Sequence, residues 1–165
     1  MVDRTEHDAR GRLHLDVLLP AADNAGLEKI GGPGREYWVH GANFANDVDP
    51  AQRRRTTVET GDWRIELSPR RAAAEDLFLT VMQTTDRTAP ARLPVTRLDT
   101  ADRTGCVIAG PATTWIVLLR RDGVRSAAPV TVALPAGPEC RVLVTDLSPG
   151  RWTAQRAGAA AAVTL

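Results

Sequence analysis

Three histidines, His7, His14 and His40, are the side chains best suited to move a proton or ligate a metal near neutral pH. None stands in HExxH or HxH spacing, so no metal centre is expected within the chain. His14 falls on the polar side of an alternating run, where a solvated strand histidine needs no role. His40 closes the run Tyr37-Trp38-Val39 just before Gly41, a position from which an imidazole can reach a bound sugar. The serines Ser68, Ser126 and Ser148 each lie in a turn, and none is in GxSxG context. Gly31-Gly32-Pro33-Gly34 lacks the Lys-Ser/Thr and the helix that a phosphate loop requires. No catalytic residue, cofactor site or metal site is therefore assigned.

The aromatic residues carry the remaining chemistry. An exposed indole or phenol stacks on the C–H face of a sugar, whereas a buried one fills a core. Trp63 is in phase with Ile65 and Leu67, and Trp115 sits in an apolar run, so both are expected in the core. Tyr37 and Trp38 are neighbours on one run and must point to opposite sides. Tyr37, Trp38 and His40 are the glycan-contact candidates. Arg53-Arg54-Arg55 offers charge to an acidic polymer, but a solvated loop explains the run as well.

These groups must be positioned by strands. Gly11 to Pro20, Leu27 to Ile30, Tyr37 to Val39 and Trp63 to Leu67 read as short β runs separated by Gly/Pro/Asn/Asp turns. Leu77 to Thr84 is apolar on both sides, as expected of a strand central in its sheet. Further runs are expected at 94–98, 105–109, 114–119, 130–134, 141–147, 151–155 and 160–165. Arg70 to Asp76 suits one helical turn, and Asp122-Gly123 suits a tight hairpin. Residues 43–60 read as a long exposed loop. The pattern predicts an all-β fold, an antiparallel β-sandwich of ten to twelve short strands forming a single domain over residues 1–165.

Composition narrows the class. With 21 basic and 20 acidic residues the formal charge is +1, which argues against nucleic acid as a partner. Lys29 is the only lysine, and the Arg and Ala richness suits a GC-rich genome. A hydrophobic share of 43% suffices for a core without metal or disulfide staples. Cys106 and Cys140 lie in apolar runs and are expected as free thiols, a pairing between neighbouring strands being the alternative. Residues 1–12 lack the apolar stretch of a secretory signal, and no run reaches membrane-spanning length, so no membrane partner is expected.

The segments GRLHLDVLLP, IGGPGREYWVHGANF and WRIELSPRRAAAEDLFLTVMQTTD, with the tail LVTDLSPGRWTA, resemble in their order the C-terminal β-sheet portion of heparinase II/III-like polysaccharide lyases. The resemblance implies a parent enzyme that cleaves acidic polysaccharide by β-elimination, with much of the machinery on an N-terminal α/α toroid. It further implies that this chain is a module partnered by that toroid, in cis or as a separate chain. No segment here matches the toroid or the family's His-bearing segment. The expected function is thus a non-catalytic C-terminal module beside the glycan cleft. A free-standing carbohydrate-binding or assembly domain is the alternative.

Overall fold

The computed structural model describes residues 11–44, 63–86, 88, 91–133, 139–155 and 162–164. Among them twelve strands and no helix occur. None of the described segments is a helix long and apolar enough to cross a membrane. The chain divides into two compact units, Met1–Arg92 and Leu93–Leu165. His7, Arg53-Arg54-Arg55 and most of the expected 43–60 loop lie outside the described residues.

Among the described residues the first unit holds three ribbons. β1 (Gly11–Leu19) pairs antiparallel with β6 (Leu79–Asp86). β2 (Ala25–Gly31) pairs with β5 (Trp63–Pro69), and β3 (Trp38–Val39) with β4 (Ala42–Asn43). A side-chain clamp joins the start of β2 to the end of β5. Asn24 Oδ1 accepts from the backbone N–H of Arg70 and Arg71 at 3.1 and 2.8 Å, and the Asn24 carbonyl takes Arg70 N at 2.7 Å. Residues 70–76, where a helical turn was expected, are irregular.

The second unit holds a four-stranded sheet in the order β10-β9-β8-β7. Its strands are β7 (Val95–Asp99), β8 (Arg103–Ala109), β9 (Thr113–Arg120) and β10 (Glu139–Val144). β11 (Thr153–Gln155) and β12 (Ala162–Thr164) form a separate antiparallel ribbon. β10 runs parallel to β9, whereas β7, β8 and β9 alternate. The Asp122-Gly123 turn therefore does not close a hairpin. A parallel neighbour needs a crossover of a dozen residues or more, and residues 121–138 supply it. Residues 130–133, expected as part of a strand, lie in this crossover without ladder bonds.

Register decides the cysteine question. Cys106 on β8 pairs with Val117, while Cys140 on β10 pairs with Thr114. Val117 and Thr114 are an odd number of residues apart on β9, so the two thiols project from opposite faces with β9 between them. Both are free. Burial pushes the Cys106 thiol above its ordinary value, consistent with an inert packing group.

Buried side chains lie on both faces of this sheet, Cys106 on one and Ile116 and Leu118 on the other, and Ile30 is buried in the first unit. Ile116 and Leu118 are fully buried on β9, with Gly105 beneath Leu118 in the cross-strand pair. In the first unit the faces expected to be buried are partly open, with Leu15, Val17 and Leu67 half-buried. Trp63 is 52% exposed and Ile65 56%, while Leu13 and Met82 are also exposed. β6 pairs with β1 alone among the described residues, rather than lying centrally in a sheet. Two-residue alternation assigned these side chains to common faces correctly, but a two-stranded ribbon has no layer of its own to lay over them. Trp115, also expected in the core, is 44% exposed: it shares the face of Cys106 but lies nearer the start of β9, opposite the half-buried Ile108.

Candidate functional site

The glycan-contact candidates come together on the β3–β4 hairpin. Its two-residue turn is His40-Gly41, with φ of 49° and 81°. Positive φ at both positions is the geometry whose twist matches the flanking strands, and glycine adopts it without cost. His40 is thereby held exposed at the hairpin tip. Asn43 fixes the base of the hairpin: its Oδ1 accepts Tyr37 N–H at 2.8 Å and its Nδ2 donates to Glu36 Oε2 at 3.5 Å. Glu36 Oε1 in turn accepts Gly34 N–H at 3.0 Å, which ties the Gly-Gly-Pro-Gly turn to the hairpin.

Trp38 and Tyr37 are half-buried. The Arg35 guanidinium lies 4.4 Å from the Trp38 ring centroid, so one indole face carries a cation. The same pairing recurs elsewhere. Lys29 Nζ stands 4.0 Å from the Trp63 centroid, and the Arg141 guanidinium 5.0 Å from that of Trp115. Trp63 has a packing duty besides: a Cβ at Gly32 would come within 2.5 Å of its ring. The exposed indole thus shields backbone that has no side chain of its own.

The densest charge cluster was not foreseen. It lies at one end of the four-stranded sheet, where β7 ends, β8 begins and β9 and β10 end. Asp99 accepts from Thr104 Oγ1 at 2.8 Å and pairs with Arg97 at 2.8 Å and Arg121 at 2.7 Å. Arg120 grips Asp122 through Nε and Nη2 at 2.8 and 2.6 Å and reaches Asp102 at 3.4 Å. Asp146, at a φ of 57°, takes Thr145 Oγ1 at 2.5 Å and the Arg120 N–H at 3.3 Å. Arg103 is fully buried beneath, with Nη1 on the Thr145 carbonyl at 2.7 Å. Alternate Arg and Asp in Arg97-Leu98-Asp99 and Arg120-Arg121-Asp122 were the available signal; the crossover that brings Asp146 to them left none.

Carboxylate acidity follows from these contacts. The Asp122 carboxyl is held well below the usual range, first by its hydrogen bond from Arg120 and then by the Val124 N–H. Asp146 is lowered chiefly by Thr145 and the Arg120 N–H. For Asp99 burial pulls upward, and the Thr104 hydroxyl with Arg97 and Arg121 outweighs it. Folded values below unfolded ones mean that this stabilisation is complete above the unfolded aspartate value of about 3.9 and is lost on further acidification. The melting temperature should therefore hold steady as pH is lowered towards about 4 and fall below it. Asp146→Asn should flatten that acid limb in a pH series of thermal melts.

Among the described residues no group of three or more His, Cys, Asp or Glu is arranged to hold a metal ion. The second unit, from Leu93, coincides closely with a known family. Residues 97–165 match the heparinase II C-terminal domain. The match begins in β7 and takes in the remaining strands, so the Asp–Arg cluster and the buried Arg103 lie within the matched residues. It also contains the tail LVTDLSPGRWTA, in which Trp152 Nε1 donates to the Ser148 carbonyl at 2.9 Å across the Ser-Pro-Gly turn. The β3–β4 hairpin lies outside the matched residues. No curated protein matches the chain.

Proposed function

We propose that the chain is a non-catalytic β-sandwich module of a heparinase II/III-like polysaccharide lyase, which supports the catalytic toroid or flanks its glycan cleft. The match of residues 97–165 to the heparinase II C-terminal domain carries this reading. The described side chains favour a supporting role: the matched Asp–Arg cluster is spent on internal pairs, and His40 lies on a short hairpin of the first unit. Apolar side chains left open on both units, among them Leu27, Ile65, Trp115 and Leu143, suit a module that leans on another portion of its protein. The isolated chain, incubated with heparin, alginate and other uronate polymers, should produce no rise in ultraviolet absorbance from unsaturated product. Sustained turnover would refute the non-catalytic reading.

A free-standing carbohydrate-binding module is the second reading, favoured by the Arg35–Trp38 pair on an exposed hairpin with Tyr37 and His40. Affinity electrophoresis on acidic and neutral glycans separates the two. Strong retardation that vanishes in Trp38→Ala, with no requirement for a toroid partner, would favour the second.

A further inference from the structure

The β1–β6 ribbon is turned the unexpected way. On one face Leu13, Met82, Thr80 and Thr84 are exposed, while Leu15 and Val17 are half-buried. On the other face His14, Asp16, Val81, Gln83 and Thr85 are all half-buried. A ribbon normally shelters its apolar side and gives water the polar one. Here the more sheltered side is a connected polar surface. Thr85 Oγ1 lies 3.3 Å from His14 Nε2, and Gln83 Nε2 donates to Asp16 Oδ2 at 3.4 Å. The other Asp16 oxygen pairs with Arg92 Nη1.

This arrangement fixes Arg92 from behind. Asp16 is 13% exposed and bridges Gln83 and Arg92, while the Arg92 side chain remains 45% exposed. A guanidinium held by one nitrogen keeps further N–H donors for a second partner and loses little rotamer freedom on binding it. Arg12 is exposed on the same face, so among the described residues of this face two guanidinium groups accompany the Asp16 carboxylate. A half-sheltered surface with an oriented fork suits an oxyanion, and the neighbouring His, Gln and Thr groups suit hydroxyls around it.

We propose that this face, centred on Arg92, holds the oxyanion of an acidic sugar; the inference rests on the glycan-flanking reading above. Calorimetric titration of the full chain tests it with three probes: a galacturonate tetrasaccharide, a sulfated oligosaccharide without uronate, and neutral cellotetraose. The wild-type chain should bind one or both acidic probes over the neutral one. Arg92→Gln should weaken that binding tenfold or more, and Arg92→Lys, which keeps charge without the fork, should also weaken it. Leu13→Ser on the opposite face should leave it unchanged. Thermal melts confirm that each variant is folded, and Arg12→Gln gives an independent reading should Arg92→Gln fail to fold. Wild-type affinity retained in Arg92→Gln and Arg12→Gln but lost in Trp38→Ala would overturn this site and leave the glycan-flanking reading intact. A wild-type chain that holds neither acidic probe would overturn both.

Discussion

Gly105→Ala should lower the melting temperature by several degrees, the largest loss expected from adding one methyl group. Gly105 pairs with Leu118 in the middle of the four-stranded sheet. A Cβ there would drive into the Val117 carbonyl, whose carbon would stand at 2.8 Å, and would meet Leu118 Cα at 3.1 Å. The obstacle is backbone of a central strand, so no side chain can swing aside to relieve it. Overpacking of this kind costs roughly 2–3 kcal/mol, which for a chain of this size is about 4–12 °C. Gly11→Ala is the matched control, because a Cβ at Gly11 meets nothing within 4 Å. It should stay within about 0.5 kcal/mol of the parent in urea or thermal unfolding. Equal melting of the parent and Gly105→Ala would show that β8 and β9 are not packed as described.

Arg103 offers the second large effect, with opposite signs for two substitutions. Its side chain is fully buried, yet Nε and Nη2 have no hydrogen-bond partner among the described residues. Asp102 Oδ2 is 4.0 Å from Nε and its side chain is 47% exposed, so water screens that pairing. The one firm bond is Nη1 to the Thr145 carbonyl. Arg103→Met keeps most of the volume and removes two buried donors at the cost of that single hydrogen bond. Asp102 is left facing water, and Asp146 keeps Thr145 Oγ1 and the Arg120 N–H, so no carboxylate is orphaned. Exchanges of buried charge for apolar groups of similar size are often neutral or stabilising by about 1–4 kcal/mol, and a rise in melting temperature is expected here. Arg103→Ala leaves a cavity beside Leu118 and Gly105 as well, and should cost about 3 kcal/mol or more. Chemical denaturation of both variants checks the pair. A methionine variant as unstable as the alanine one would mean that the guanidinium is fully satisfied in solution.

Much of the architecture was legible in the residues. Strands at β1, β2, β5, β8 and β9 follow from runs that alternate or are continuously apolar between Gly, Pro and Asn/Asp punctuation, because side-chain period and turn chemistry are local properties. The hairpin carrying Tyr37, Trp38 and His40 was half visible: its first strand was expected, while β4, only Ala42–Asn43, is too short to leave a pattern. Of the segments that resemble the lyases, the tail LVTDLSPGRWTA lies within the matched residues and the three earlier ones lie outside them.

Other features needed the fold. Trp63, Ile65 and Leu67 share a face because alternation says so, but whether a face is covered depends on which layer lies over it, and no local pattern encodes that. The parallel pairing of β10 with β9 is equally non-local. It separates Cys106 from Cys140 by face, and it carries Asp146 to Arg120 across 26 residues of sequence. The partner of Asp16 is Arg92, far along the chain. The sequence by itself determined an all-β chain, its strand faces and its turns, since these depend on each residue and its near neighbours. Only the tertiary structure decided which faces are closed, which charges meet and where a guanidinium is buried, since those depend on contacts between segments remote in the chain.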